Sequence, residues 1–233
     1  MNKSGWLGPA GLSAITTAVF AFIAFFKDTL LRYLGRPKLK GELQKHPPDT
    51  SLISTLEGPT LAYFRLKVWN KGKTAANKVE VYAKKLQVKE ADEIRDHDDF
   101  LPMNLTWSHL AEDENIYLET IPPRTYKHCN LAYVGKLDVQ VFSPVWNAAV
   151  STNVLWKNTP DLDDSSTYFI LSKQITATNY ENYLPRGEYL LTIALAAANA
   201  KPHEIVVRIV HKGGGPVDWR VGGTSPFAEI VRG

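Results

Sequence analysis

One cysteine stands in 233 residues. Cys129 therefore has no partner for an internal disulfide, and the multi-cysteine zinc sites are excluded with it. Four catalytic signatures are missing as well: GxGxxG before a helix, the phosphate-loop pattern GxxxxGKS/T, HExxH and GxSxG. The six histidines, His46, His97, His109, His128, His203 and His211, show no metal-ligand spacing. His128 and Cys129 are adjacent, so on a strand they face opposite ways and cannot form a catalytic pair. Cys129 reads as a small core residue. No cofactor is expected. The composition, 44% apolar and 22% charged, excludes a disordered or collagen-like chain.

The small positive balance, 27 basic against 24 acidic residues, is unevenly placed. Residues 1–40 hold six bases and one acid, and the other 193 residues carry a net −2. A nucleic-acid partner calls for a basic face on the folded domain and is not expected.

No charge occurs from Trp6 to Phe26, a run of 21 residues. As a helix it would measure about 31 Å, close to the hydrocarbon thickness of a bilayer. Pro9 falls in the first turn, where its missing N–H breaks no bond. A buried helix and a cleaved signal peptide are the competing readings. Buried helices seldom run so long without a charge, and no small-residue cleavage site follows. The run is read as an uncleaved signal-anchor, with residues 1–36 forming the transmembrane helix and a basic stalk ended by Gly35 and Pro37. Lys27, Arg32, Arg36, Lys38 and Lys40 flank it on the C-terminal side, against Lys3 before it. The more basic flank stays in the cytoplasm, which puts the large domain on the cytosolic side of the cell membrane. Ala10, Ala14 and Ala18 recur every four residues, a spacing that lets two spans approach and form a homo-oligomer.

The remainder reads as mainly β. Ala62, Phe64, Leu66 and Val68 alternate with Tyr63, Arg65, Lys67 and Trp69, the period of a half-buried strand. Asn70-Lys71-Gly72-Lys73 is a turn, and alternation resumes through Val79, Val81 and Ala83. Pro122-Pro123-Arg124 leads into a strand at TYKHCNLAYV, and KLDVQVF over 136–142 is another. Pro185-Arg186-Gly187 precedes strands at Tyr189–Ala196 and Ile205–Val210.

The block Asn70-x-Gly72-x-x-x-Ala76, flanked by strands, resembles a strand pair of bacterial and archaeal immunoglobulin-like domains, in which the alanine packs inward. The segments LPMNLTWSH, IPPRTYKHCNL and LPRGEY extend the likeness over most of residues 12–210. Together they resemble prokaryotic single-span membrane proteins with an immunoglobulin-like (CARDB-like) domain. The resemblance implies an immunoglobulin-like β-sandwich preceded by one N-terminal transmembrane helix, and it brings no activity with it. The sandwich domain is expected over 37–212, with loop insertions near 87–115 and 143–182, and 213–233 as a glycine-rich flexible tail.

Two places could bind something. Glu90, Asp92, Glu93, Asp96, Asp98 and Asp99 crowd one stretch with Arg95 and His97. No glycine turns that stretch for calcium, so a solvated charged loop or helix face is the simpler reading. Trp107 and His109 follow, with Met103, Leu105 and Trp107 spaced as a core-facing strand. Asp96, His97, Asp98, Asp99, Trp107 and His109 are the candidate binding residues. The expectation is a membrane-anchored, cytosol-facing, non-catalytic module that recognises a protein partner. The alternatives are an anchored metal-dependent hydrolase using residues 90–109, or an extracytoplasmic adhesin or envelope scaffold if the topology is reversed.

Overall fold

The computed structural model describes residues 17, 19–27, 35–54, 60–91, 93–98, 100–108, 118–136, 167–173, 182–212 and 227–232. They form two antiparallel sheets around one core. The first sheet runs β1 (Leu39–Glu42), β3 (Thr60–Asn70), β8 (Tyr126–Lys136), β9 (Thr167–Leu171), β10 (Tyr183–Leu184), and β2 (Thr50–Ser54) also pairs with β3. The second runs β13 (Phe227–Arg232), β12 (His203–His211), β11 (Gly187–Ala196), β4 (Ala76–Glu90), β5 (Glu93–Asp96). Short strands β6 (Met103–Asn104) and β7 (Leu118–Ile121) also lie on β4.

Alternation decides which faces are buried. Ala62, Phe64, Leu66 and Val68 of β3 point inward, as their spacing predicts, against Val79, Val81, Ile193, Leu195, Ile205 and Val207 of the second sheet. Phe64 packs on Phe169, with ring centroids 5.1 Å apart. Ala76 is fully buried, as the NxGxxxA resemblance implies. In β4 the inward set shifts from Ala83 to Leu86, where the register with β11 slips between Thr192 and Ile193. An extra residue in one strand moves every later side chain across the sheet unless the phase is reset there. Gly41 of β1 leaves room for β12: a Cβ there would lie 2.6 Å from the Ile205 Cδ1.

Residues 103–108 stitch the sheets together. Met103 and Asn104 pair with β4, Leu105 N donates to Val81 O at 2.8 Å, and Trp107 bridges to Cys129 in the opposite sheet. Cys129 is buried, and its Sγ donates to Thr106 O at 3.2 Å. Burial pushes its thiol far above the usual range, so it is a core residue and no nucleophile.

Asn70 closes one end of the sandwich. It is fully buried, and its side chain makes all four hydrogen bonds open to an amide. Nδ2 donates to Thr74 O at 2.7 Å and Ile121 O at 3.0 Å. Oδ1 accepts from Gly72 N at 3.0 Å and Lys38 N at 3.3 Å. Its backbone N donates to Thr125 O, and its carbonyl accepts from Arg124 N. One residue thus joins the start of β1, the β3–β4 turn, the end of β7 and the turn before β8.

Several expectations need correction. The acidic stretch is no loop: Glu93–Asp96 pairs with Gln87–Glu90 as a hairpin turned at Ala91, whose φ is 52°. The described part of the expected 87–115 insertion is built into the sandwich through β5, β6 and Trp107. The expected flexible tail ends in a strand, since Phe227–Arg232 pairs with β12 and buries Ala228. Residues 213–226, the 137–142 part of KLDVQVF, and nearly all of 143–182 up to Asn182, apart from β9 and its neighbours, lie outside the described residues. Of the expected membrane span, Thr17 and residues 19–27 are described and helical, while Ala10, Ala14 and Ala18 lie outside the described residues. Among the described residues no helix is long and apolar enough to cross a membrane.

Replacing Asn70 by alanine strands several buried backbone groups, each costing about 1–3 kcal/mol. Asn70→Ala should therefore lower the unfolding free energy by at least about 3 kcal/mol, read from urea titration. A loss below about 1 kcal/mol would mean that other contacts hold this end closed.

Candidate functional site

The outer face of the first sheet carries most of the organised polar chemistry. Strands β3 and β8 place their outward residues side by side: Tyr63 beside Tyr133, Arg65 beside Asn130, Lys67 beside His128, Trp69 beside Tyr126. The segment between β1 and β2 folds over this face and delivers Asp49, which is fully buried. Asp49 Oδ1 lies 3.6 Å from Lys67 Nζ and accepts from His128 Nε2 at 3.1 Å. Oδ2 accepts from Gln44 N at 3.1 Å, and the Asp49 carbonyl accepts from Arg65 N. Thr50 Oγ1 donates to Gln44 O at 2.7 Å, closing the bend.

A carboxylate taken out of water is stable only when paired and hydrogen-bonded, and Asp49 has both kinds of partner. Burial holds the His128 imidazole below its usual pKa, although the Asp49 carboxylate pulls the other way. The three side chains resemble acid–base machinery, but Asp49 is sealed and Lys67 and His128 are nearly so. A catalytic group must come within hydrogen-bond reach of the proton it moves, and no substrate reaches Asp49. Its work is to pin the β1–β2 segment to the sheet.

An aromatic and cationic ladder borders this cluster. Tyr63 stacks on Tyr133 at 5.6 Å, and Trp69 meets Tyr126 at 4.6 Å. Lys71 Nζ sits 3.7 Å from the Trp69 ring centroid, and Lys67 Nζ 4.9 Å from that of Tyr126. Trp69 Nε1 donates to Glu42 at 2.7 Å, and Lys40 and Lys71 flank the same carboxylate. Tyr126 remains 41% exposed at the end of the row. These rings are held on strands and fixed by neighbours, which makes a surface of defined shape.

The candidate residues read from the sequence are scattered by comparison. Asp96 is exposed and paired: Lys85 Nζ lies 2.8 Å away, Gln87 donates to it, and both hold its carboxyl below the usual range. Glu90 and Glu93 are matched to Arg95. His97 is half-buried, and Asp98 is exposed. Trp107 is 1% exposed, so it is a core residue and not a contact surface. Asp99 and His109 lie outside the described residues. Among the described residues no three His, Cys, Asp or Glu side chains converge as metal donors. Of the flanking bases, Lys27 ends the described part of the helix, Arg36, Lys38 and Lys40 are exposed, and Arg32 lies outside the described residues. Sequence reasoning missed Asp49, Lys67 and His128 as a unit. The only signal was a basic residue and a histidine on alternating strands.

No family model, no curated protein and no solved structure matches this chain.

His128 and His211 are both held below their usual pKa, chiefly by burial. The unfolded chain then binds protons more readily than the folded one, so stability falls as the pH drops through the ordinary histidine range. Unfolding free energy should decline from about pH 7 to about pH 5, and His128→Gln should flatten that decline. A slope unchanged by the substitution would mean that His128 titrates alike in both states.

Proposed function

We propose that the chain is a membrane-tethered, non-catalytic binding module whose sandwich, of the immunoglobulin-like kind, faces the cytosol and recognises a protein partner. In this reading it is a relative of the prokaryotic single-span proteins that its sequence resembles. One observation carries the tether. The described part of the N-terminal helix exposes Val19, Phe20, Phe22, Ile23, Phe25 and Phe26, each between 49% and 75%. At 100° per residue these six span about 220° of the helix and Ala21 and Ala24 occupy the remaining sector, so the apolar surface is not a single stripe. A helix apolar on all sides belongs in lipid or inside a larger core, and the sandwich does not cover this one.

The binding half of the reading is supported by the ladder on the first sheet. Aromatic rings and arginine are over-represented in interface centres, where rigid rings bury area with little loss of freedom. Trp69, Tyr126, Tyr63 and Tyr133 offer such rings, with Arg65 beside them. The hydrolase alternative is disfavoured because the carboxylates of the β4–β5 hairpin are matched to Lys85 and Arg95 and do not converge.

Fusing alkaline phosphatase and, separately, a fluorescent protein after Gly233 tests the tether and its direction together. Membrane-bound, fluorescent and phosphatase-silent fusions are the expected result. High phosphatase activity with a dark reporter would reverse the topology and favour the adhesin or scaffold reading.

A further inference from the structure

A basic groove of about 400 Å³ opens where β1 begins and the β11–β12 loop ends. Arg36, Lys38, Lys201 and His203 line it, together with apolar Leu39 and two prolines, and among the described residues no carboxylate does. We infer that this groove binds the phosphate of an anionic phospholipid headgroup, at the point where the domain meets the membrane. The inference rests on the tethered reading above.

The groove is a built feature, not a chance meeting of lysines. Its two walls hang from the same connection, residues 70–77. On one side Asn70 Oδ1 holds Lys38 N, Lys71 N donates to Lys38 O at 2.8 Å, and Thr74 Oγ1 donates to Gly35 O. Gly72 allows this wall to lie close: a Cβ there would stand 2.5 Å from Arg36 O. On the other side Asn199 Oδ1 accepts from Asn77 N at 3.0 Å, and its Nδ2 donates to Ala75 O at 2.8 Å. Ala198 N adds a bond to Asn77 O. Two asparagines thus set the spacing of the cations before any ligand arrives, which limits the ordering cost of binding.

The charges are also available. Lys38 and Lys201 take part in no ion pair among the described residues, and both are exposed. The acids nearest in sequence, Glu42 and Glu204, are matched to Lys40, Lys71 and Lys84. The ammonium donors of Lys38 and Lys201 suit a phosphate diester. Reach is sufficient, because Arg36 follows Lys27 by nine residues, at most about 30 Å of extended chain. Juxtamembrane lysines are drawn to an anionic membrane surface, and here the fold adds Lys201 from the far end of the sequence.

The test uses the full chain in micelles of a zwitterionic detergent, with three separate additions: phosphatidylglycerol, phosphatidylcholine and glycerol phosphate. Native mass spectrometry counts retained lipid, and thermal melting reads stabilisation. Phosphatidylglycerol should be retained and should raise the melting temperature, and phosphatidylcholine should do neither. Lys38→Gln with Lys201→Gln should weaken retention by about tenfold or more. The charge-matched pair Lys85→Gln with Lys89→Gln, whose partners Asp96 and Glu188 lie outside the groove, should leave it unchanged. Retention insensitive to the groove variant, equal loss in the charge-matched pair, or equal retention of phosphatidylcholine would each overturn the site. Glycerol phosphate binding as tightly as the lipid would overturn the lipid as its ligand and leave a free-phosphate site. A chain that fractionates away from membranes in cells would defeat the tether instead, a result these micelle measurements do not produce.

Discussion

The architecture depends on a single buried amide. Asn70 ends β3, and its four side-chain bonds go to β1, the β3–β4 turn and β7. Burying an amide is unfavourable unless every donor and acceptor is matched, and no other side chain of this size supplies two donors and two acceptors in one plane. The Asn-x-Gly spacing follows from this. Gly72 must present its N–H back to Asn70 Oδ1 while Arg36 and Pro37 cross directly above it. Any Cβ at Gly72 would collide with that crossing backbone. The turn motif and the residues entering β1, Arg36 to Lys38, are therefore one piece of structure.

The same logic operates on the outer sheet face, with charges in place of an amide. Asp49 is carried by the bend between β1 and β2, where Lys67 and His128 hold its side chain and Arg65 N its carbonyl. A sealed ion pair of this kind contributes little net stability over apolar packing, yet removing one partner is expensive. It fixes the position of the β1–β2 segment and so the edge of the aromatic ladder. Position, more than stability, is what a recognition surface requires.

Much of this fold was legible from period-two alternation. β3 buries Ala62, Phe64, Leu66 and Val68, and β4 buries Val79, Val81 and Ala83, the residues their spacing selects, while in β8 the register slips and Leu131 and Ala132 are both buried. The misses have physical causes. β5 is written in charged residues, and it is a strand because Gln87–Glu90 offers an edge to pair with, not because its own residues favour one. β13 follows a glycine-rich stretch, and six residues hold too few alternations to show that an edge of β12 awaits them. Lys67 was assigned to the solvent face by alternation, correctly as to direction. Alternation cannot reveal that a bend 18 residues earlier covers it. The groove joins residues 36–39 to 201–203, and only folding brings those stretches together.

The Asn70 clamp links these observations to function. The helix presents apolar side chains on every side, and the domain begins at a clamp whose partners reach both walls of a basic groove. If the clamp is rigid, the sandwich is held in a fixed relation to its first residues and presents one face consistently. Hydrogen exchange on the full chain in micelles measures this directly through the amides of Lys38, Gly72 and Asn77, each bonded to an asparagine side-chain oxygen. Their opening free energies should match that of Val207, a core strand amide, to within about a tenfold difference in protection. Exchange at the rate of an exposed turn, with Val207 still protected, would contradict the account.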